Sequence, residues 1–204
     1  MALRTIDVPS SIKKFDLSDS AESLIDLAND RIEAFMLADQ TVLENFVTCD
    51  FHLLDQTLTW IRENHLMTGD RFCELGSGFG VAAMLAALQG MQAVGIETEP
   101  VLVSQSSDLA DDQQNTAKFY CGSFIPPEFE LQSENAADAE HLRTEDVDVY
   151  EAHGFSMADF DLFFAYPWPN EYPFFNELFQ ANAADGALLL TYRGREGMNL
   201  VRKT

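Results

Sequence analysis

Residues 72-FCELGSGFG-80 decide the fold. An apolar run ends at Leu75, three glycines (Gly76, Gly78 and Gly80) follow at alternate positions, and the Ala-rich segment VAAMLAALQ begins at Val81. Glycine reaches positive φ without a Cβ penalty and lets a ligand approach the backbone. The free N–H groups at the start of the following helix face the same space. A glycine trio alone is as readily structural as functional, and its surroundings add weight here. The next strand, MQAVGIE, ends on Glu97, 21 residues after Gly76, flanked by Gly95 and Pro100. A carboxylate at the end of a second parallel strand can accept both hydroxyls of a ribose.

Working outward, 100-PVLVSQSSDLADDQQN-115 predicts a helix with proline in its first turn, and AKFYCG a third strand. DLFFAY, NEYPFFNELFQANAA and GALLLTY predict strand, helix and strand, and REGMNLVRKT leaves room for one short terminal strand. Strand–helix alternation over 70–192 predicts an α/β Rossmann-like three-layer sandwich with a mostly parallel sheet. In such sheets ligands bind outside the carboxyl ends of the strands. Ahead of this unit, Leu24, Leu27, Ala28, Ile32, Phe35, Val42 and Phe46 recur at helical spacing. Asp50 is placed to cap a second helix, FHLLDQTLTWIRENHLM. The expected organisation is a helical N-terminal lead over 1–49, its first 19 residues mixed and polar, and a ligand-binding domain over 50–204. An acidic insert lies at about 128–160.

The chain has 204 residues, with 34 Asp+Glu against 12 Lys+Arg and a formal net charge of -22, yet it is 47% hydrophobic with 16 Phe. That combination builds a core and excludes general disorder. It lacks the basic footprint of nonspecific nucleic-acid binding, and anionic membranes are disfavoured for the same reason. The charge is uneven: Glu128 to Asp161 holds eleven acids and one base, Arg143, whereas Arg193, Arg195, Arg202 and Lys203 fall in the last twelve residues. Cys49, Cys73 and Cys121 are dispersed, and no Cys/His cluster or calcium-loop pattern occurs, so no required metal and a reduced, cytoplasmic setting are expected.

The spacing Gly-x-Gly-x-Gly, with Glu74 two residues before the first glycine and Val81 where a dinucleotide fingerprint needs glycine, resembles the first motif of the class I S-adenosylmethionine-dependent methyltransferases. The resemblance covers roughly 50–192. It implies S-adenosyl-L-methionine as cofactor, with Gly76, Ser77, Gly78 and Gly80 around the methionine portion and Glu74 toward its amino end. It also implies Glu97 on the ribose. Ser123 stands where the family commonly has an acid for the adenine amino group, and Phe124 or Ile125 is a candidate cover for the ring. The electrostatics agree, because a cationic cofactor without phosphate suits Glu74 and an acidic chain better than a pyrophosphate does. The family fold usually continues past its fifth strand with a helix and two more strands. The expected consequence is an abbreviated C-terminal sheet edge, or a homodimer covering it.

At the fourth strand's exit, 166-YPWPN-170 is similar to the Asn/Asp-Pro-Pro-Tyr/Phe motif of enzymes that methylate amide or base nitrogens, with Tyr166 on the Asn/Asp position. The amide-gripping side chain is therefore absent. Tyr166, Trp168 and the nearby acid Glu171 are the candidate acceptor-site residues, Trp168 as a platform fixed by two prolines. Equally plain readings are core packing for the aromatics and a surface position for Glu171. The expected function is methyl transfer to a small-molecule or protein acceptor. Alternatives are a cofactor-binding regulatory protein without turnover and an aminopropyltransferase; a nicotinamide dehydrogenase is disfavoured by Val81.

Overall fold

The computed structural model describes residues 2–38, 49–130 and 148–204. Residues 39–48 of the expected lead and 131–147 of the acidic insert lie outside them. Seven strands form one sheet: β1 (Leu3–Ile6), β2 (Arg71–Leu75), β3 (Gln92–Glu97), β4 (Lys118–Cys121), β5 (Leu162–Ala165), β6 (Leu188–Tyr192) and β7 (Met198–Lys203). Their order is β1-β7-β6-β5-β2-β3-β4. Strands β2 to β6 pair in parallel, and β7 is antiparallel to both neighbours.

The helices are α1 (Asp19–Ala38), α2 (Phe51–Glu63), α3 (Val81–Leu88), α4 (Pro100–Asp112), α5 (Pro127–Glu130), α6 (Val149–His153) and α7 (Tyr172–Asn182). Alternating strand residues feed two cores. Phe72, Phe164, Leu188 and Leu190 pack with α1 to α4 on one face. Cys73, Leu75, Phe163, Ala165 and Leu189 pack with α6 and α7 on the other. Burial on both faces explains why these strands read as continuous apolar runs. Asp50 caps α2 as expected, accepting the Leu53 N–H at 3.0 Å. No helix among the described residues is long and apolar enough to cross a membrane.

The sheet edge differs from expectation. It is not abbreviated: β7 forms the antiparallel hairpin with β6, and the segment Leu3–Ile6, read as polar lead, pairs with β7 from Leu3↔Lys203 to Ile6↔Leu200. Across the antiparallel β7, β1 runs in the direction of β6. The place beside β7 is thus taken by Leu3–Ile6, which becomes the edge of the sheet on that side. The lead is also tied to the body through α1, whose Ala21, Leu24, Ile25, Ala28 and Ile32 share a core with α3.

Strand order reverses between β2 and β5: β3 and β4 continue to one side of β2, β5 and β6 to the other. The crevice of such a sheet opens at that reversal, beyond the carboxyl ends. There the register aligns Leu75 with Ala165 and Ala165 with Thr191. The next residues, Gly76, Tyr166 and Tyr192, therefore stand side by side, about 5 Å per strand apart.

Candidate functional site

The glycine loop is built by its neighbours. Gly76, Gly78 and Gly80 have φ of 73°, 52° and 71°, the left-handed region that favours glycine. The Gly76 and Ser77 N–H groups both donate to the Ile96 carbonyl at 2.9 Å, which fastens the loop to β3. A Cβ on Gly80 would fall 2.1 Å from Phe119 Cε1, and one on Gly95 would fall 2.6 Å from Phe119 Cδ1 and 2.8 Å from Ser77 Cβ. Phe119 thus fills the space these two glycines leave. Gly76 is different, because a Cβ there would meet only Phe124 Cε1, at 3.9 Å. Its bare backbone opens into the crevice.

Glu74, expected at the amino end of a bound methionine, is buried and turned to the start of α3, where Oε2 accepts the Ala83 N–H at 2.9 Å. The N-cap of α3 is Gly80, which has no side chain to offer. Glu74 therefore provides from β2 the cap that the helix lacks. Burial pushes its pKa up to about 8, raised further by Glu97 and opposed by the hydrogen bonds from Ala83 and Ala82.

Glu97 ends β3 as expected, and its carboxylate organises the loop. Oε2 accepts the Gly78 N–H at 2.8 Å, while Oε1 accepts the Glu99 N–H at 3.0 Å and the Thr98 hydroxyl at 3.3 Å. An ionised carboxylate offers about four acceptor sites. One remains on Oε2, so one hydroxyl of a ribose fits without rearrangement. A second would displace the long Thr98 contact. Among the described residues, the buried Ser77 Oγ has no hydrogen-bond partner.

On the β4 side, the Gly122 N–H donates to the Glu97 carbonyl at 2.9 Å, and the buried Ser123 Oγ accepts the Ile125 N–H at 3.1 Å. Ser123 also bridges to Asp148, so the described end of the acidic insert returns beside the β4 exit. Phe124 is buried with its ring 5.6 Å from Phe175, and its carbonyl accepts the Tyr150 hydroxyl at 2.8 Å. It backs the glycine loop.

On the β5 side, Trp168 is 38% exposed, not core. Its N–H donates to Glu171 Oε2 at 2.9 Å and its carbonyl accepts the Glu171 N–H at 2.9 Å. Glu171 is only 2% exposed, which corrects the surface reading: it is the buried clasp of the YPWP loop. Tyr166 lies half-buried against Tyr192, ring centroids 4.9 Å apart and edge to face. Tyr172 donates its hydroxyl to the Tyr192 carbonyl at 3.2 Å and carries the Arg193 guanidinium 4.7 Å above its ring. The sequence pattern marks Tyr192 only as the last residue of a strand and Tyr172 only as part of a helix. The signal for Tyr192 was its place at a parallel strand's carboxyl end.

The arrangement places the glycine-loop backbone, the Glu97 carboxylate and aromatic rings around one crevice. Asp161, the acid at the start of the DLFFAY segment, is at the opposite end of the sheet, holding the Thr68 hydroxyl at 2.7 Å and the Arg71 N–H at 3.0 Å. A cleft of about 590 Å³ lined by Arg62, His65, Asp70 and Gln89 also lies at that far end, where β2 and β3 begin. It is remote from the glycine loop.

No protein-family model matches the chain, and no curated protein matches it. Solved structures do. An RNA methyltransferase from Salinibacter ruber in complex with S-adenosyl-L-homocysteine superposes with a TM-score of 0.51 at 17% identity, over 78% of this chain and 93% of that one. The fold is that of the class I methyltransferases. An S-adenosylhomocysteine-bound methyltransferase from Podospora anserina gives 0.52 at 14% identity, over 89% and 66% of the two chains. A Staphylococcus aureus protein provisionally named a caffeoyl-CoA O-methyltransferase gives 0.54 at 13%, over 92% and 100%. These names span different acceptors, so the methyltransferase fold by itself chooses none.

Proposed function

We propose that the chain is an S-adenosylmethionine-dependent methyltransferase acting on a small-molecule or protein acceptor in the cytoplasm. The observation that carries the reading is the Gly76–Gly80 loop, fastened to β3 and closed onto Glu97, at the strand-order reversal of a methyltransferase fold. The residues fit the cofactor. Gly76 leaves room against Phe124, Glu97 Oε2 retains a site for a ribose hydroxyl, and Ser77 Oγ is a polar atom without a partner. Glu97 and Glu171 near the crevice suit a sulfonium and an ammonium group rather than a pyrophosphate, whereas Glu74, held up to about 8 by burial, is mostly protonated at neutral pH and adds little charge.

When bound, the cofactor supplies a methyl group already activated for displacement, so the protein's task is alignment and exclusion of water. Gly76, Ser77 and Gly78 would hold the amino-acid portion, Glu97 the ribose, and Ser123 and Phe124 the adenine side. Glu74 is a positioning residue that holds α3, and through it the glycine loop. Tyr166 and Trp168, carried by a loop that Glu171 clasps from below, would form the acceptor side of the crevice. With an acidic surface and no Asn or Asp at position 166, bare nucleic acid is the least suitable acceptor.

The test is transfer of labelled methyl from S-adenosylmethionine into native extract. Labelling of an extract component, lost in Gly78→Val and reduced in Trp168→Ala, is the expected result. Cofactor binding with no labelling in any extract would favour a regulatory protein without turnover.

A further inference from the structure

Arg193 follows the last residue of β6 and stands one position beyond the row formed by Gly76, Tyr166 and Tyr192. Its surroundings are unusual for a cation in a chain of net charge -22. The guanidinium lies 4.7 Å over the Tyr172 ring, which fixes its plane. Its backbone is anchored as well, the N–H donating to the Gly197 carbonyl at 2.8 Å. Nε is buried and has no hydrogen-bond partner among the described residues. Among the described residues Arg193 has no ion-pair partner, although Arg31 pairs with Asp112 and Arg71 with Asp159. Asp50 acts electrostatically on Tyr192, and Glu196 on Tyr172.

A desolvated guanidinium N–H without an acceptor is costly unless something completes it. A carboxylate meets a guanidinium through two parallel hydrogen bonds, which makes it a fitting complement. The three tyrosines add flat, partly buried surface on the same side. Tyr172 and Tyr192 have pKa values raised mainly by burial, so their hydroxyls stay protonated at neutral pH. Asp50 and Glu196, which act on these tyrosines, oppose an anion and are what the guanidinium must outweigh, while acids farther off are screened beyond about 8 Å at physiological salt.

We propose that Arg193, with Tyr166, Tyr172 and Tyr192, forms an acceptor site for a small aryl carboxylate, the guanidinium holding the acid group and the tyrosines the ring. This rests on the methyltransferase reading for its place beside the cofactor, but the anion site itself is testable without it.

The test is calorimetric titration of the full chain with 4-hydroxybenzoate, salicylate and benzoate, and with the neutral methyl ester of each. Titrations are done with and without saturating S-adenosylhomocysteine. Wild type should bind at least one acid about tenfold more tightly than its ester. Arg193→Gln should abolish the preference, and Arg193→Lys should restore only part of it. Thermal unfolding and S-adenosylhomocysteine affinity, unchanged in both variants, would show that the loss is local. Equal binding of acid and ester, failure of every acid to bind, or a preference that survives Arg193→Gln overturns the proposal. Acid selectivity without any binding of S-adenosylhomocysteine would keep the anion site and sink the methyltransferase reading.

Discussion

The N–H of Gly78 donates to Glu97 Oε2 at 2.8 Å, so the glycine loop after β2 is closed by the carboxylate that ends β3. The geometry of two neighbouring strands meets in this one bond. Parallel pairing brings Leu75 beside Ile96, the Ile96 carbonyl takes two loop N–H groups, and Glu97 takes the third. The loop is preorganised before any ligand arrives, which lowers the ordering cost of binding.

Glu97→Ala should therefore act twice. Removing a buried acceptor leaves the Gly78 and Glu99 N–H groups unsatisfied and lowers stability by about 1–3 kcal/mol. It also removes the carboxylate proposed to hold the ribose, so S-adenosylmethionine affinity should fall about tenfold or more. Thermal unfolding and calorimetry on one preparation separate the two effects. A destabilised variant with unchanged affinity would reduce Glu97 to a loop clasp.

Glu74→Gln should change how stability depends on pH. The folded carboxyl is held up to about 8, above its ordinary value near 4.5, so between these values the native state binds the extra proton. Wild-type stability then falls as pH rises through that window, by about 1 kcal/mol per pH unit from this group, and levels off above pH 8. Glutamine retains an oxygen for the Ala83 N–H and carries no charge. The variant should gain on wild type as pH rises from 5 to 8. Parallel urea-unfolding curves across that range would show that Glu74 is not the buried, uphill carboxylate described.

How much of this was legible beforehand varies with the range of the interaction involved. The glycine spacing, Glu97 at a strand end and the apolar strand runs are local patterns, and each emerged where expected. Strand β1 did not. Leu3–Ile6 is four residues long and half-exposed, and its partner lies almost 200 residues away, so nothing within a local window distinguishes it from a polar lead. The direction of Glu74 was illegible for a related reason. Its placement follows from Gly80 being an N-cap without a side chain, a need visible only once α3 begins at Val81. Glu171 read as surface because its segment is polar; its burial follows from the turn that returns its carboxylate to the Trp168 N–H.

Gly95→Ala should destabilise the chain by about 1–3 kcal/mol through overpacking, because its Cβ would press on both Phe119 and Ser77. Phe119→Leu in the same chain should recover part of the loss, and the double-mutant cycle gives the coupling. Additive effects would place Phe119 elsewhere than beneath the loop.

Trp168→Ala and Glu171→Ala should part company. Trp168 is exposed, so its removal should leave the melting temperature nearly unchanged while lowering methyl incorporation into the extract acceptor. Glu171 is buried, and its loss should cost about 1–3 kcal/mol of stability. Equal stability losses in both would put Trp168 in the core.

The central claim is that the loop closed by Glu97 is a cradle for S-adenosylmethionine. Calorimetric titration of the purified chain with S-adenosylmethionine, S-adenosylhomocysteine and NAD tests it most directly. Both sulfur compounds should bind saturably and NAD should not bind, with affinity weakened about tenfold or more in Glu97→Ala. Binding of NAD with neither sulfur compound would contradict it.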